Sequence, residues 1–413
     1  MRVLSKIREE FSFLRGNILV LVVSWILMNV SGGIPSTYYP LYVLGLGGTP
    51  FTLGLIGFVS FLAMALVQFP GGYLADKHGR RGLIVTMTFG VALSYVSFAV
   101  APFWHFILIG AIIQNLCLIY QPALVAIEHD SIPPEQRGMG FSTIMLINNL
   151  AAMLSPVIAG VLYLHFGLDT SVRIGYLIVT SFFFAAALVR LKLTETLHTD
   201  NNENLSFNAV LKAYPKAVKE GLSVWGLLPR SMFFLFLSDA ISSFVFVMSG
   251  PYLLVYAIDV LGIKEFEWAI LISWLTAVTL LSALPSGKLA DRIGRKKPLL
   301  VSWILLAPFT LLFLYGDLFR LFVAYLLLGT SNTLFMAGYS SLQADLVPRE
   351  LRGKVVGCSH FIEYILMGSG ELIGGFLYQF VSPTFPLLLG VIVTIPCILM
   401  TLFLVHEPKT REV

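Results

Sequence analysis

Residues 72–81 read GYLADKHGRR and residues 287–296 read GKLADRIGRK, 215 positions apart. Six of the ten positions are identical: Gly72/Gly287, Leu74/Leu289, Ala75/Ala290, Asp76/Asp291, Gly79/Gly294 and Arg80/Arg295. Lys77/Arg292 and Arg81/Lys296 keep the charge. The same offset aligns DSIPPEQRG (130–138) with DLVPRELRG (345–353), matching Asp130 to Asp345 and Arg137 to Arg352. Two separated matches at one offset indicate two halves running in the same direction.

Around these motifs the chain is too apolar for water. Of 413 residues, 57% are hydrophobic and 12% charged, against about 25% charged in a soluble domain. That excludes a soluble enzyme, a disordered chain and a nucleic-acid binder. Apolar runs delimit twelve spans: 18–43, 51–75, 83–101, 104–127, 139–166, 173–190, 230–258, 266–287, 298–315, 319–343, 354–380 and 384–405. Twelve spans put both termini on one side, together with 24 of the 27 Lys and Arg; only Arg173, Lys264 and Arg320 fall opposite. The positive-inside rule makes that side the cytoplasm. The start, MRVLSKIREEFSFLRGN, lacks a signal-peptide core and reads as an amphipathic lead-in. Cys117, Cys358 and Cys397 fall in apolar runs with no metal or disulfide spacing.

The expected fold is an all-α membrane protein of two pseudo-symmetric six-helix bundles, 1–190 and 230–413. They are joined by a cytoplasmic linker, 191–229, whose spaced apolar residues and lysines predict a helix on the membrane surface.

The doubled G-x-L-A-D-x-x-G-R-[RK] loop resembles motif A of the major facilitator superfamily, and the resemblance covers the whole chain. A carboxylate at Asp76 or Asp291 can face an unpaired helix N-terminus. The resemblance implies spans 11 and 5 as those partners. Gly72 and Gly287 would allow close backbone approach. Arg80 and Arg295 can pair with Asp130 and Asp345. With Arg137 and Arg352 these residues form an expected cytoplasmic gate.

The resemblance also implies that spans 1, 4, 7 and 10 line a central cavity. Those spans carry polar stripes: Trp25, Asn29, Gly32 and Ser36; Gln114, Gln121 and Glu128; Asp239, Ser242, Phe246 and Ser249; Asn332, Met336, Tyr339 and Gln343. Spans 3, 6, 9 and 12 are nearly uniform in Leu, Ile, Val and Phe. Three carboxylates lie inside spans: Asp239, Glu363 and Glu371, with His360 on the face of Glu363. Asp239 and Glu363 sit about 13–15 Å from the cytoplasmic ends. A carboxylate at that depth must be paired, hydrated or protonated, which makes these residues candidates for proton coupling. No Lys or Arg stands in mid-span, so the expected substrate is neutral or cationic rather than anionic.

Span 5 carries SPVIAG (155–160), which resembles the G-P-x-x-G-G motif of drug/proton exchangers with Ser155 and Ala159 replacing glycines. Span 4 lacks the Arg such exchangers often carry. The expected function is proton-coupled efflux of a small solute by alternating access, without cofactor, metal or nucleic acid. The chain is expected to act as a monomer in the cell membrane, with both termini cytoplasmic. A proton-coupled importer or uniporter of a neutral solute such as a sugar is the alternative, and a non-transporting sensor of the same fold is a third reading. Ser369 and His360, nine residues apart on one helix, cannot form a hydrolase pair, which argues against an enzyme.

Overall fold

A chain in hydrocarbon has no water to satisfy its backbone, so each apolar run must close its hydrogen bonds within itself. The computed structural model describes residues 13–133, 136–197, 214–215, 218–219 and 222–407, and among them there is no strand. Ten stretches are long and apolar enough to cross a membrane. One of them, inside the helix Arg137–Arg190, is two spans broken at Gly167, where φ is +72°. Arg352–Phe380 is equally long but less apolar, because it carries His360, Glu363 and Glu371. The spans are therefore twelve.

Spans 1 to 4 are Gly16–Ser36, Pro50–His78, Arg81–Ala99 and Trp104–Ser131. Spans 5 and 6 are the two parts of Arg137–Arg190. Spans 7 to 12 are Arg230–Asp259, Glu265–Ile293, Lys296–Leu314, Leu318–Leu346, Arg352–Phe380 and Phe385–Phe403.

Two expected continuous helices are broken. Span 1 stops at Ser36 and restarts as the short helix Tyr39–Gly45, because Pro40 supplies no N–H to continue the ladder. Span 4 tightens into a 3-10 turn at Leu118–Tyr120 just before Pro122, for the same reason. Most of the expected surface helix of the linker lies outside the described residues.

The chain divides into two compact units, Met1–Thr37 with Leu66–Pro215, and Tyr38–Ala65 with Lys216–Val413. In the first unit Leu21, Ile84, Val91, Tyr120 and Val179 form a buried core. A methyl group at Gly33 would lie 2.5 Å from Ser155 Cβ, so spans 1 and 5 are in close contact there. Ser155 reinforces the contact by donating to the carbonyls of Asn29 and Val30 at 2.9 and 2.8 Å.

The second unit repeats this register. Gly370 and Gly374 of span 11 sit against the carbonyls of Phe244 and Met248 of span 7, where a Cβ would come within 2.5 and 2.0 Å. The same unit includes the first half of span 2. There Gly54 and Gly57 face Glu371, while Gly368 and Gly375 face Phe58 and Pro50.

Candidate functional site

The acidic residues of spans 7 and 11 define the site, and it lies within the second unit. Asp239 is 9% exposed. Its carboxylate accepts hydrogen bonds from the hydroxyls of Tyr339 on span 10 and Ser243, one turn along span 7. Glu363 of span 11 stands close enough to repel it electrostatically, and Tyr339 feels both charges. The Cys397 thiol of span 12 also senses Asp239 and donates to the carbonyl of the preceding residue, Ser238, at 3.5 Å. Four spans thus converge on one pair of carboxylates. Two negative charges here cost far more than one, since little water screens them.

Glu371 belongs elsewhere. Its carboxylate is wedged against the Cα of Gly57. Tyr39 and Tyr252 sense its charge, and Tyr252 donates to its backbone carbonyl at 3.1 Å. His360 is exposed, with its ring 6.1 Å from that of Tyr364.

The stripe residues separate. Tyr339 joins the Asp239 cluster. Gln114 is spent on a bond to the Tyr95 hydroxyl at 2.7 Å, a contact between spans 3 and 4. Asn29 and Ser36 bond the carbonyls of Trp25 and Gly33 in their own helix. Trp25, Asn332 and Gln343 are half-buried, whereas Gln121 and Met336 are exposed. Ser242, Phe246 and Ser249 line a cavity walled by spans 9, 10 and 12. The 3-10 turn also removes Gln114 and Gln121 from one continuous helical face.

At the loop motifs, Arg80 and Asp130 form an ion pair, and so do Arg295 and Asp345. Arg80 also donates to Thr196 Oγ1 at 3.0 Å. Arg352 bonds the carbonyls of Val347 and Ala344 at the end of span 10. Asp291 is exposed. The side chains of Asp76 and Arg137 lie outside the described residues.

The expected close approach at Gly72 and Gly287 is corrected, because a Cβ at either position meets nothing within 4 Å. The glycines the fold requires are Gly79 and Gly294, with φ of +84° and +90°. Each turns the chain sharply out of its span beside a carboxylate, Glu195 or Glu407.

Those two carboxylates escaped the sequence reading. Glu195 Oε2 accepts the backbone N–H of both Arg80 and Arg81 at 2.9 Å. Glu407 Oε1 accepts that of Lys296 at 2.6 Å. Each caps the free N-terminus of the span after the motif. Burial pushes the Glu195 carboxyl up, but four backbone N–H bonds, from Arg81, Leu197, Arg80 and Thr196, outweigh it and hold it below the ordinary range. The signal was a Glu just past the last span of each half. The two are 212 positions apart, so the fixed offset of 215 missed them.

The expectation of a cation-free interior is also corrected. Arg190, the last residue of span 6, is fully buried. Its guanidinium turns back into the first unit and donates to Ser24 Oγ at 3.1 Å and Thr88 Oγ1 at 2.8 Å, each about two turns inside its span. It also lies 5.5 Å from the Tyr120 ring centroid, and its Nη2 has no partner. Counting mid-span residues missed it because a long side chain carries its charge well away from its Cα.

The family model of the Major Facilitator Superfamily matches residues 18–279 and 235–413. An uncharacterized MFS-type transporter, MJ1317 of Methanocaldococcus jannaschii, is 22% identical over 97% of this chain and 98% of its own. Multidrug resistance protein MdtG of Salmonella choleraesuis is 24% identical over 86% of this chain and 87% of its own. A solved POT family transporter in complex with 5-aminolevulinic acid superposes with a TM-score of 0.73 at 15% identity, covering 94% of this chain and 96% of that one. The ion pair of the duplicated loop, formed once in each half, and a family match running from residue 18 to the last place this chain in the major facilitator superfamily, as a multi-pass membrane transporter and not an enzyme.

Proposed function

We propose that this transporter exports a small neutral or cationic amphipathic solute in exchange for protons, by alternating access of its two halves. The observation that carries the reading is the pairing of Asp239 with Glu363 among Tyr339 and Ser243. A pair of acids in a poorly hydrated place holds one proton far more cheaply than none. Taking up that proton changes the local charge, and a cationic solute competes for the same negative field. Proton and solute then occupy the site in turn, which is the condition for exchange.

The cation distribution favours a cytoplasmic location for both termini and for the Arg80–Asp130 and Arg295–Asp345 pairs. The two ion pairs are the candidate cytoplasmic gate. Arg190 is enclosed in the core of the first unit, and no acid among the described residues pairs with it. It therefore gives an anionic solute no accessible partner. The similarity to MdtG, named for multidrug resistance, supports an efflux role.

The test is transport in proteoliposomes with and without an imposed pH gradient, using tetraphenylphosphonium and glucose as solutes. Exchange predicts cation movement against the direction of proton flow. Co-movement of glucose with protons would replace this reading by an importer.

A further inference from the structure

The second unit holds a cavity that shares Cys397 with the surroundings of Asp239 but includes neither acid in its wall. It occupies about 70 Å³ between spans 7, 9, 10 and 12. Its walls include Val245, Phe246, Leu306, Phe309 and Val393, and no charged side chain lines it. An ion would find no counter-charge there, so an occupant must be neutral.

Three of the four hydroxyls in the wall are already committed. Ser249, Thr310 and Thr394 donate to the carbonyls of Val245, Leu306 and Val391 at 3.0, 3.0 and 2.7 Å. Cys397 donates to Ser238. Trp303 differs. It lines the cavity at 2% exposure, and its indole N–H has no hydrogen-bond partner. A buried N–H without an acceptor is costly and calls for one. An apolar cavity with a few polar groups, here the Trp303 N–H and the Ser242 hydroxyl, is the usual build of a small-molecule site. Phe246, 54% exposed, marks its open side.

We propose that this cavity binds the end of a neutral, slender amphiphile whose hydroxyl or carbonyl oxygen accepts the Trp303 N–H. The volume is about half that of an engineered apolar cavity that takes benzene, roughly 150 Å³. It admits an alkyl chain or the edge of one ring, with the rest of the molecule at the Phe246 side. The oxygen belongs either to a lipid ester or to a free solute.

The test uses the purified full-length protein and a benzyl alcohol bearing a trifluoromethyl-diazirine. Photolabelling, mapped by peptide mass spectrometry, is expected to be saturable at span 9 and span 12 residues of the cavity. Octanol should compete better than octane. Trp303→Phe keeps the ring that packs edge-on to Phe335 at 5.3 Å but removes the donor. It should weaken labelling about fivefold, the worth of one neutral hydrogen bond. Gly390→Leu fills the space, since a Cβ at Gly390 meets only Val245 Cγ1 at 3.6 Å. It should abolish labelling at these residues and leave other sites labelled.

The same measurement in phosphatidylcholine nanodiscs separates the sources. Suppressed labelling there means a lipid ester holds the site, and unchanged labelling means a free solute does. Non-saturable labelling, or labelling that survives both substitutions in folded protein, overturns the proposal. Neither readout depends on proton coupling.

Discussion

Gly54→Ala is a substitution whose effect the geometry sets directly. The new Cβ would lie 2.4 Å from the Glu371 carbonyl oxygen, 3.0 Å from Tyr252 Oη and 3.1 Å from Leu372 Cα. Ordinary contact begins near 3.4 Å, so spans 2 and 11 must part by about 1 Å (3.4 − 2.4). The obstacle is helix backbone and cannot rotate away. Tyr252 donates to both Glu371 O at 3.1 Å and Pro50 O at 3.3 Å, so its bridge between the spans stretches too. Overpacking of this kind costs about 1–3 kcal/mol. If the contact closes the ends of spans 2 and 11 opposite the chain termini, that cost shifts the closed–open balance by about 5- to 150-fold. The assay is labelling of a single cysteine at Phe61, which stacks on Tyr364 at 6.3 Å, with Cys117, Cys358 and Cys397 replaced by alanine. An impermeant maleimide applied from the side opposite the termini should react faster by that factor. An unchanged rate in a protein of unchanged melting temperature refutes the reasoning.

Glu195 is held below its ordinary range by backbone donors. Its contribution to stability is therefore fully present above the unfolded value near 4.3 and disappears as pH falls through the folded value. Melting temperatures from pH 7 down to pH 3 should converge for wild type and Glu195→Gln, and parallel curves would contradict the cap. Arg190→Met should leave stability unchanged or raise it by about 1–4 kcal/mol, because a cation without a carboxylate is removed. Ser24 and Thr88 keep their bonds to Leu21 and Ile84, and a marked fall in melting temperature would show that the guanidinium is paired. Tyr339→Phe removes one of the two hydroxyl donors to Asp239. It should slow cation transport driven by a proton gradient in proteoliposomes, because the carboxylate loses one of the groups that hold it in place; an unchanged rate separates Tyr339 from coupling.

The spans were legible because hydrocarbon imposes one rule on the whole chain, and apolar run length reports it directly. The ion pairs Arg80–Asp130 and Arg295–Asp345 were legible because duplication writes each of them twice. Positions that depend on distances between helices were not. Gly72 and Gly287 lie inside the matched motif, yet the constraint falls on Gly79 and Gly294, where the backbone takes positive φ. Asp239, Glu363 and Glu371 look equivalent in sequence, yet only the first two come together. Arg190 sits at a helix end by sequence, but its charge lies in the core. Among the polar stripes, Tyr339 joins the Asp239 cluster, whereas the Gln114 amide holds two helices together.

The central claim, proton exchange through the Asp239–Glu363 pair, is tested most directly by substrate-induced proton flux. A pH-sensitive dye trapped in proteoliposomes reads proton release when tetraphenylphosphonium is added outside. Wild type should release protons in the direction opposite to cation entry. Asp239→Asn and Glu363→Gln should carry the cation down its own gradient without a pH change, and Glu371→Gln should behave as wild type. Full cation-dependent proton flux in both the Asp239→Asn and Glu363→Gln variants contradicts the account.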